Sequence, residues 1–245
     1  MTVKQISAVI AALDEAGNVE ELHARLQRAL GSFPGAASEL IWVVEGSDDT
    51  ASILRDLASR GAPAASTIIE PPVRRGLGAA FRAGFDAVSP GADIVVTMDA
   101  DLNHQPEELP RLVDALAAEN ADIVVGSRLV RGASGGQARW RRWLSAAANR
   151  LMLKLAGVDV RDMSSGYRIY RAASLRAIRF ENDGFAFLPE ILMKAAAAGM
   201  RVVEVPITFT PRTRGKSKLH LGEASRSYLR LLNAQLSPLR TRKTE

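Results

Sequence analysis

Two carboxylates follow an apolar run near the middle of the chain. Residues 94–98 are typical of a buried strand in a parallel sheet, and Asp99 and Asp101 come directly after them. Side chains two residues apart leave an extended chain on the same side, so both carboxylates can converge on one point. The Asn103 amide follows, and such oxygen ligands suit Mg²⁺, which completes its shell with water and substrate phosphate oxygens. The spacing therefore predicts a divalent-cation site, with a pair of solvated turn aspartates as the alternative.

Two further stretches carry groups that bind anions. Arg75, Gly76 and Gly78 form a glycine-rich turn at the start of a predicted helix, where backbone N–H groups can hold an anion, although close packing explains the glycines equally well. Arg128 follows a small Gly-Ser turn at the end of another predicted strand. Its guanidinium could clamp a phosphate through two hydrogen bonds, or it could form an ion pair.

Strands and helices that alternate along the chain must position these residues. This alternation predicts an α/β fold with a mostly parallel, doubly wound sheet in a single nucleotide-binding-like domain over residues 1–245. The predicted strands are residues 6–13, 40–44, 67–70, 94–98, 122–126 and 201–206. The predicted helices are residues 19–30, 51–60, 74–88, 107–118, 138–155, 189–198 and 222–236, with a flexible loop at 132–136 and a basic loop at 211–218.

The composition excludes several classes of protein. The chain has no cysteine, which rules out disulfides, thiolate metal sites and a cysteine nucleophile. No apolar run reaches the roughly 18 residues that span a bilayer, and no signal peptide is expected. The net charge of +5 would suit phosphates or an anionic membrane surface, whereas aromatic residues at 5% disfavour nucleic acid as a partner.

Five segments, taken together and in order, resemble the inverting family 2 glycosyltransferases of GT-A fold, and most closely the dolichyl- and polyprenyl-phosphate mannose synthases. These segments are MDADLNHQPE (98–107), DIVVGSR (122–128), DMSSGYRIY (162–170), EVPI (204–207) and RTRGKSK (212–218). The resemblance implies a nucleotide-sugar and metal-binding half over about residues 1–126. It also implies an acceptor half over about 127–245, with basic helices at a membrane interface.

The resemblance also assigns roles to individual residues. The metal, Mg²⁺ or Mn²⁺, would be held by Asp99, Asp101 and Asn103. Catalytic residues would be Asp99, Asp101 and Arg128, and the acceptor phosphate would meet Arg128, Arg141 and Ser165. The nucleotide sugar would be bound by Glu15, Glu45, Ser47, Arg75, Gly76, Gly78, Asp99, Arg212 and Lys216.

Two turns depart from the family pattern. Residues 11–15 read AALDE where the family has a Pro-Thr-Tyr-Asn-Glu-like turn, and residues 44–47 read VEGS where it usually has Asp-Asp-Gly-Ser. Because these turns hold the base and ribose in the family, the departures leave the identity of the base open.

The expected activity is transfer of a hexose, with GDP-mannose favoured as donor, to a polyprenyl or dolichyl phosphate, giving a β-linked phosphosugar. A sugar hydroxyl needs a carboxylate base, and residues 187–191 read FLPEI, without the Glu-Asp pair of relatives that glycosylate hydroxyls. A phosphate acceptor is therefore favoured. The expected location is the cytoplasmic face of a membrane, bound peripherally, with or without a membrane-anchoring subunit. The alternatives are transfer from UDP-glucose or another donor to a soluble acceptor, and a non-catalytic binding protein.

Overall fold

The predicted strands and helices that fall in the described residues are present, with bounds shifted by at most a few residues, and short elements at 134–135, 168–171, 172–177 and 208–209 were not predicted. The computed structural model describes residues 2–135 and 159–211. The strands are β1 (Gln5–Leu13), β2 (Ala37–Glu45), β3 (Ala65–Ile69), β4 (Ile94–Asp99), β5 (Ile123–Ser127), β6 (Ser134–Gly135), β7 (Arg168–Arg171), β8 (Val202–Pro206) and β9 (Thr208–Phe209). The helices are α1 (Val19–Leu30), α2 (Thr50–Ser59), α3 (Leu77–Asp86), α4 (Leu109–Ala118, after a 3₁₀ turn at Pro106–Glu108), α5 (Ala172–Ala177) and α6 (Phe187–Ala197).

The main sheet has the strand order β3-β2-β1-β4-β7-β5-β8. Its strands β1 to β4 run parallel, and β5 and β8 are parallel to each other. Ala11 near the end of β1 lies opposite Val43 of β2 and Asp99 of β4. The carboxyl ends of three strands therefore meet at the edge where Asp99 lies, and the predicted doubly wound, mostly parallel sheet is confirmed.

One strand of this sheet, β7, was not predicted from the sequence. It is antiparallel to both of its neighbours, and Arg168 lies opposite Thr97 of β4 and Val125 of β5. Its four residues, bounded by arginines, are too short to show a strand period. Because β7 runs antiparallel, the loop that precedes it reaches the carboxyl ends of β4 and β5.

Helices cover both faces of the sheet. On one face Leu26 of α1, Leu54 of α2 and Leu112 of α4 pack in a cluster with buried side chains of β1, β2 and β4. On the other face Phe81 of α3 and Ile191 of α6 pack against residues of the opposite strand face. Successive side chains of a strand point to opposite faces, so the nearly continuous apolar strands read from the sequence are buried on both sides.

The short strands β6 and β9 correct one further prediction. Residues 132–136 were expected to form a flexible loop, but Ser134 and Gly135 pair in parallel with Thr208 and Phe209. A two-residue strand has no sequence period to detect. The predicted helices at 138–155 and 222–236 and the basic loop at 212–218 lie outside the described residues. In the part that is described, no helix is long and apolar enough to cross a membrane.

Candidate active site

The turn that follows β4, residues 99–105 (the aspartate turn), carries the predicted cation ligands. Asn103 donates its backbone N–H to Asp101 Oδ1 at 3.1 Å and its side-chain amide N–H to Asp101 Oδ2 at 2.7 Å. Leu102 between them has a φ of 60°, which tightens the turn. The Asp101 carboxylate is therefore held in a fixed orientation by the residue two positions further on.

The aspartate turn has the donor set that a hard divalent cation requires. The Asn103 side-chain oxygen is buried and has no hydrogen-bond partner among the described residues. In that part of the chain, no group of three or more His, Cys, Asp and Glu side chains could hold a metal. A cation bound by Asp99, Asp101 and Asn103 would thus need water and phosphate oxygens as further ligands, which is the usual coordination of Mg²⁺. The residues present fit such an ion.

His104 is the residue of the aspartate turn whose side chain packs into the interior. Its ring is 1% exposed and lies 5.5 Å from the Tyr167 ring and 5.6 Å from the Phe209 ring, measured between centroids. Burial lowers the pKa of His104 to about 4, although the charge of Asp101 opposes the shift. Its Nδ1 lies 3.9 Å from Asp99 Oδ2. His104 is therefore neutral near pH 7 and supports the turn from below.

Gly166, just before β7, supports Asp99 from the other side. A Cβ atom added to Gly166 would lie 2.9 Å from each carboxylate oxygen of Asp99. The Gly166 carbonyl accepts a hydrogen bond of 2.8 Å from the Thr97 hydroxyl, which ties this loop to β4. The segment was recognised as a motif, but the contact with Asp99 was not foreseen, because it depends on the antiparallel direction of β7.

Arg128 forms an ion pair with the fully buried Asp162, which is the alternative that its sequence context left open. Its Nε and Nη2 donate to the two Asp162 oxygens at 2.8 and 2.7 Å, and its backbone N–H donates to Oδ2 at 2.9 Å. Nη2 also donates to the Ser164 hydroxyl at 2.8 Å. Burial alone would raise the pKa of the Asp162 carboxyl, but the charge and hydrogen bonds of Arg128 outweigh it and lower the pKa. The planar guanidinium is thereby fixed at the carboxyl end of β5.

The loop that contains Asp162 is itself anchored. The Glu204 carboxylate of β8 accepts the backbone N–H groups of Arg161 and Asp162 at 2.7 and 2.9 Å. Arg168, fully buried, donates to the backbone carbonyls of Ser165, Met163 and Leu188. Sequence reasoning missed Arg168, although an arginine between apolar residues of the motif was a signal. Ser165, predicted to meet the acceptor phosphate, is fully buried, and its hydroxyl has no partner among the described residues.

A cleft of about 430 Å³ opens at the carboxyl ends of β1, β2 and β3. Its lining includes Glu45, Ser47 and Glu70, with Pro71 and Pro72 forming one wall. Burial raises the pKa of the Glu45 carboxyl, while the Arg75 backbone N–H and the Arg74 guanidinium oppose the shift.

Glu15, predicted to bind the donor, follows Asp14, which is a lining residue of this cleft, but Glu15 itself is not part of the lining. It is 5% exposed, and its carboxylate accepts a hydrogen bond from the Asn18 amide at 2.5 Å. Its backbone N–H donates to the Thr50 hydroxyl at 2.8 Å. These contacts tie Glu15 to the start of α1 and α2, and its role in donor binding stays a prediction.

The glycine-rich turn at the start of α3 combines close packing at Gly78 with backbone N–H groups of Arg75 and Gly76 that donate to the Glu45 carboxylate. The N–H groups of Gly78 and Ala79 both donate to the Asp183 carbonyl, at 2.7 and 3.2 Å. A Cβ on Gly78 would lie 2.1 Å from the Asn182 carbonyl oxygen. The Arg75 guanidinium reaches the Asp183 carboxylate at 3.3 Å. Close packing therefore accounts for Gly78, and contact of this turn with the donor stays a prediction.

Glu190 of α6 anchors the loop at residues 181–183, which packs against the start of α3. It is 5% exposed, and its carboxylate accepts the backbone N–H groups of Glu181 and Asn182, each at 2.9 Å. Lys194 lies 2.8 Å from the same carboxylate.

Three of the predicted site residues, Arg141, Arg212 and Lys216, lie outside the described residues.

Comparisons with known proteins agree on one family. The model of the family described as Glycosyl transferase family 2 matches residues 7–179. The chain is 36% identical over 211 residues to an undecaprenyl-phosphate mannosyltransferase of Micrococcus luteus, covering 83% of this chain and 84% of that protein. It is 40% identical over 185 residues to a polyprenol monophosphomannose synthase of Mycolicibacterium smegmatis, covering 74% of this chain and 69% of that protein.

A solved structure shares the fold. Glucosyl-3-phosphoglycerate synthase from Mycobacterium tuberculosis, crystallised with Mn²⁺, uridine diphosphate and phosphoglyceric acid, superposes with a TM-score of 0.69 at 22% identity. The match covers 96% of this chain and 78% of that one. At this identity the likeness concerns the fold alone, and it agrees with the predicted GT-A architecture.

Proposed function

Because this chain belongs to glycosyl transferase family 2, we propose that it transfers mannose from GDP-mannose to a polyprenyl phosphate. An acceptor phosphate oxygen would attack the sugar C1, the bond from C1 to the diphosphate oxygen would break, and GDP would leave. Attack from the face opposite the leaving group inverts C1 and gives a β-linked lipid phosphosugar. Two relatives of 36% and 40% identity, named for undecaprenyl and polyprenol substrates, support this acceptor class.

The observation that carries the choice of a phosphate acceptor is the environment of Glu190. A hydroxyl acceptor must lose a proton to a positioned base, whereas a phosphate monoester is already anionic near neutral pH. The Glu190 carboxylate is buried and holds two backbone N–H groups and Lys194. Because its oxygens already bind these groups, the Glu190 carboxylate anchors the loop at residues 181–182 and is poorly placed to accept a proton from a substrate.

The aspartate turn would hold the donor diphosphate through a divalent cation, Mg²⁺ or Mn²⁺, bound by Asp99, Asp101 and Asn103. The cation would supply Lewis-acid stabilisation of the charge that develops on the leaving diphosphate. The protein's own contribution is to keep these oxygens in place: Asn103 orients Asp101, and Gly166 and His104 confine Asp99. Arg128, oriented by Asp162, would meet the acceptor phosphate.

The cleft at β1, β2 and β3 supports guanine as the base of the donor. Guanine presents two neighbouring donors, N1–H and the N2 amino group, to which a carboxylate can bind with both oxygens. Uracil presents one N–H between two carbonyl oxygens, which a carboxylate would repel. Glu45 and Glu70 both line the cleft, where Glu45 also accepts the Arg75 N–H and lies 3.8 Å from Arg74, and Glu70 pairs with Arg55. A carboxylate oxygen of either residue that faces the cleft would favour guanine. The walls formed by Pro71 and Pro72 would contact the faces of the base.

The polyprenyl chain of the acceptor places the reaction at a membrane surface. Basic residues at 139–150 and 226–245 would attract anionic lipids of the cytoplasmic leaflet. Peripheral association at that face is part of the proposal, with or without an anchoring subunit.

A transfer assay with two donors and two acceptors tests the proposal. Radiolabelled GDP-mannose and UDP-glucose would each be offered with a short polyprenyl phosphate or with the corresponding polyprenol, in Mn²⁺ or Mg²⁺. We expect lipid-extractable label only from GDP-mannose with the phosphate, and loss of label with EDTA and in Asp101→Ala. Asp114→Ala, an exposed aspartate of α4, is the matched control and should keep full activity. Label from UDP-glucose alone would contradict the donor, and label on the polyprenol would contradict the phosphate acceptor.

A further inference from the structure

Phe209 and Thr210 contact the second half of the aspartate turn, residues 103–105. Phe209 pairs with His104 in an antiparallel bridge. The Thr210 N–H donates to the Asn103 carbonyl at 2.8 Å, and Gln105 donates to the Thr210 hydroxyl, also at 2.8 Å. These contacts join the predicted metal ligand Asn103 to a segment about a hundred residues further along the chain.

The same segment also contacts the elements around Arg128. Strand β9 pairs with β6, which follows Arg128 by a few residues. The Phe209 ring lies against the Arg128 guanidinium, with its centroid 5.4 Å from the Arg128 Cζ atom. The Phe209 ring also contacts the His104 ring, whose centroid is 5.6 Å away at an interplanar angle of 72°. One side chain therefore touches both the cation turn and the arginine predicted to meet the acceptor.

We propose that Phe209 is a positioning residue of the transfer reaction, whose ring keeps the aspartate turn and Arg128 at a fixed separation. This role rests on the proposed function, since the turn serves the donor and Arg128 serves the acceptor only if that proposal holds. Transfer requires the acceptor oxygen to lie about 3 Å from C1 of the donor. The relative position of the two binding groups then determines how often the bound pair is reactive.

Phe209 is suited to this role because it is not part of either main core cluster. It is half-buried, and neither buried cluster of the sheet includes it. A smaller side chain at this position should therefore loosen the contact between the two groups without unfolding the sheet. A shift of about 1 Å between reacting groups costs roughly 100-fold in rate.

Phe180 provides a matched control. It is also a phenylalanine with its ring near an arginine, at 5.0 Å from Arg82 Cζ, and it packs in the cluster on the α3 and α6 side of the sheet. Both Phe209→Leu and Phe180→Leu remove an aromatic ring and a cation–π contact. Only the first lies between the aspartate turn and Arg128.

Amide hydrogen exchange of the ligand-free protein tests the coupling directly. The Asn103 N–H donates to Asp101, and the Arg128 N–H donates to Asp162, so each reports one side of the contact. We expect Phe209→Leu to speed exchange at both amides by roughly ten-fold or more, and Phe180→Leu to leave both unchanged. Unchanged exchange in Phe209→Leu, or a change on one side alone, would overturn the inference.

Steady-state kinetics separate positioning from a loss of folded protein. We expect Phe209→Leu to lower kcat roughly ten-fold, to raise the Mn²⁺ concentration for half-maximal rate, and to change the donor KM little. Phe209→Tyr, which keeps the ring, should restore most of the rate. An unaltered kcat in Phe209→Leu would refute the role. Absence of transfer in the wild type would refute the proposed function instead, while the exchange experiment would still decide the coupling.

Discussion

Replacing Gly166 with alanine tests whether the position of Asp99 limits the reaction. The new Cβ atom would lie 2.9 Å from both Asp99 oxygens, whereas ordinary contacts begin at 3.4 Å, so the carboxylate must move by about 0.5 Å. The Gly166 backbone does not have a positive φ, so alanine is compatible with its conformation. The side chain of Asp99 is 36% exposed and can yield. The substitution should therefore displace the Asp99 side chain and leave the fold intact.

The size of the effect follows from this displacement. A misplacement of about 1 Å costs roughly 100-fold in rate, so half of that shift should lower kcat roughly ten-fold. The half-saturating Mn²⁺ concentration should rise as well, because Asp99 is a predicted ligand. The free energy of unfolding should change by less than about 1 kcal/mol, since loss of chain entropy in the unfolded state offsets part of the contact strain.

Gly91→Ala is the matched control for this experiment. Its added Cβ would meet only the end of the Gln5 side chain, at 2.8 Å, and Gly91 is exposed. Both variants would be compared in the mannosyl-transfer assay with Mn²⁺ titration, and in urea unfolding. If Gly166→Ala keeps the kcat and the Mn²⁺ dependence of the wild type, the placement of Asp99 against Gly166 has no bearing on the reaction.

Three other predictions concern the supports of the site. Asp162→Asn should lower the free energy of unfolding by about 3 kcal/mol in urea titrations, because it leaves the Arg128 charge without its buried partner. Since the pKa of Asp162 is lowered by folding, its stabilising contribution is complete above about pH 4 and is lost as the pH falls through the folded pKa. The wild type should thus lose stability on acidification below pH 4 more steeply than Asp162→Asn does. Gly78→Ala should cost about 3 kcal/mol by the same measurement, because its Cβ would meet the Asn182 backbone, which cannot yield as a side chain does. Glu190→Gln should cost about 2 kcal/mol of stability but keep kcat within about three-fold, whereas a loss of 100-fold or more would identify Glu190 as a base.

Helices and strands could be predicted from the sequence where apolar residues recur at regular spacing. The apolar stripe of α1 predicted residues 19–30, and the structure has the same bounds. Strand β7 could not be found in this way, because four residues with arginines at both ends carry no period of two. The pairing of β6 with β9 has the same cause, and it depends on contacts between segments about 70 residues apart.

The candidate site was predictable as a set of residues but not as a set of contacts. The spacing of Asp99, Asp101 and Asn103 identified the aspartate turn, and the structure adds the bonds from Asn103 to Asp101. The partner of Arg128 could not be inferred, since Asp162 lies 34 residues further on and no local pattern connects the two. The glycines at the start of α3 show a second limit of sequence analysis. An anion-binding turn and a close-packed turn both require glycine, so the sequence does not tell them apart.

The antiparallel direction of β7 explains how so many supports reach one edge of the sheet. In a parallel strand at the same place, the preceding loop would lie at the amino ends of β4 and β5, far from Asp99. Because β7 runs the other way, the loop at residues 162–167 arrives at the carboxyl ends, where Gly166 meets Asp99 and Asp162 meets Arg128. The buried Arg168 at the start of β7 then ties this loop to α6 by donating to three carbonyls. One reversed strand thus connects the predicted cation ligands, and the arginine that we propose to meet the acceptor phosphate, to the same rigid sheet.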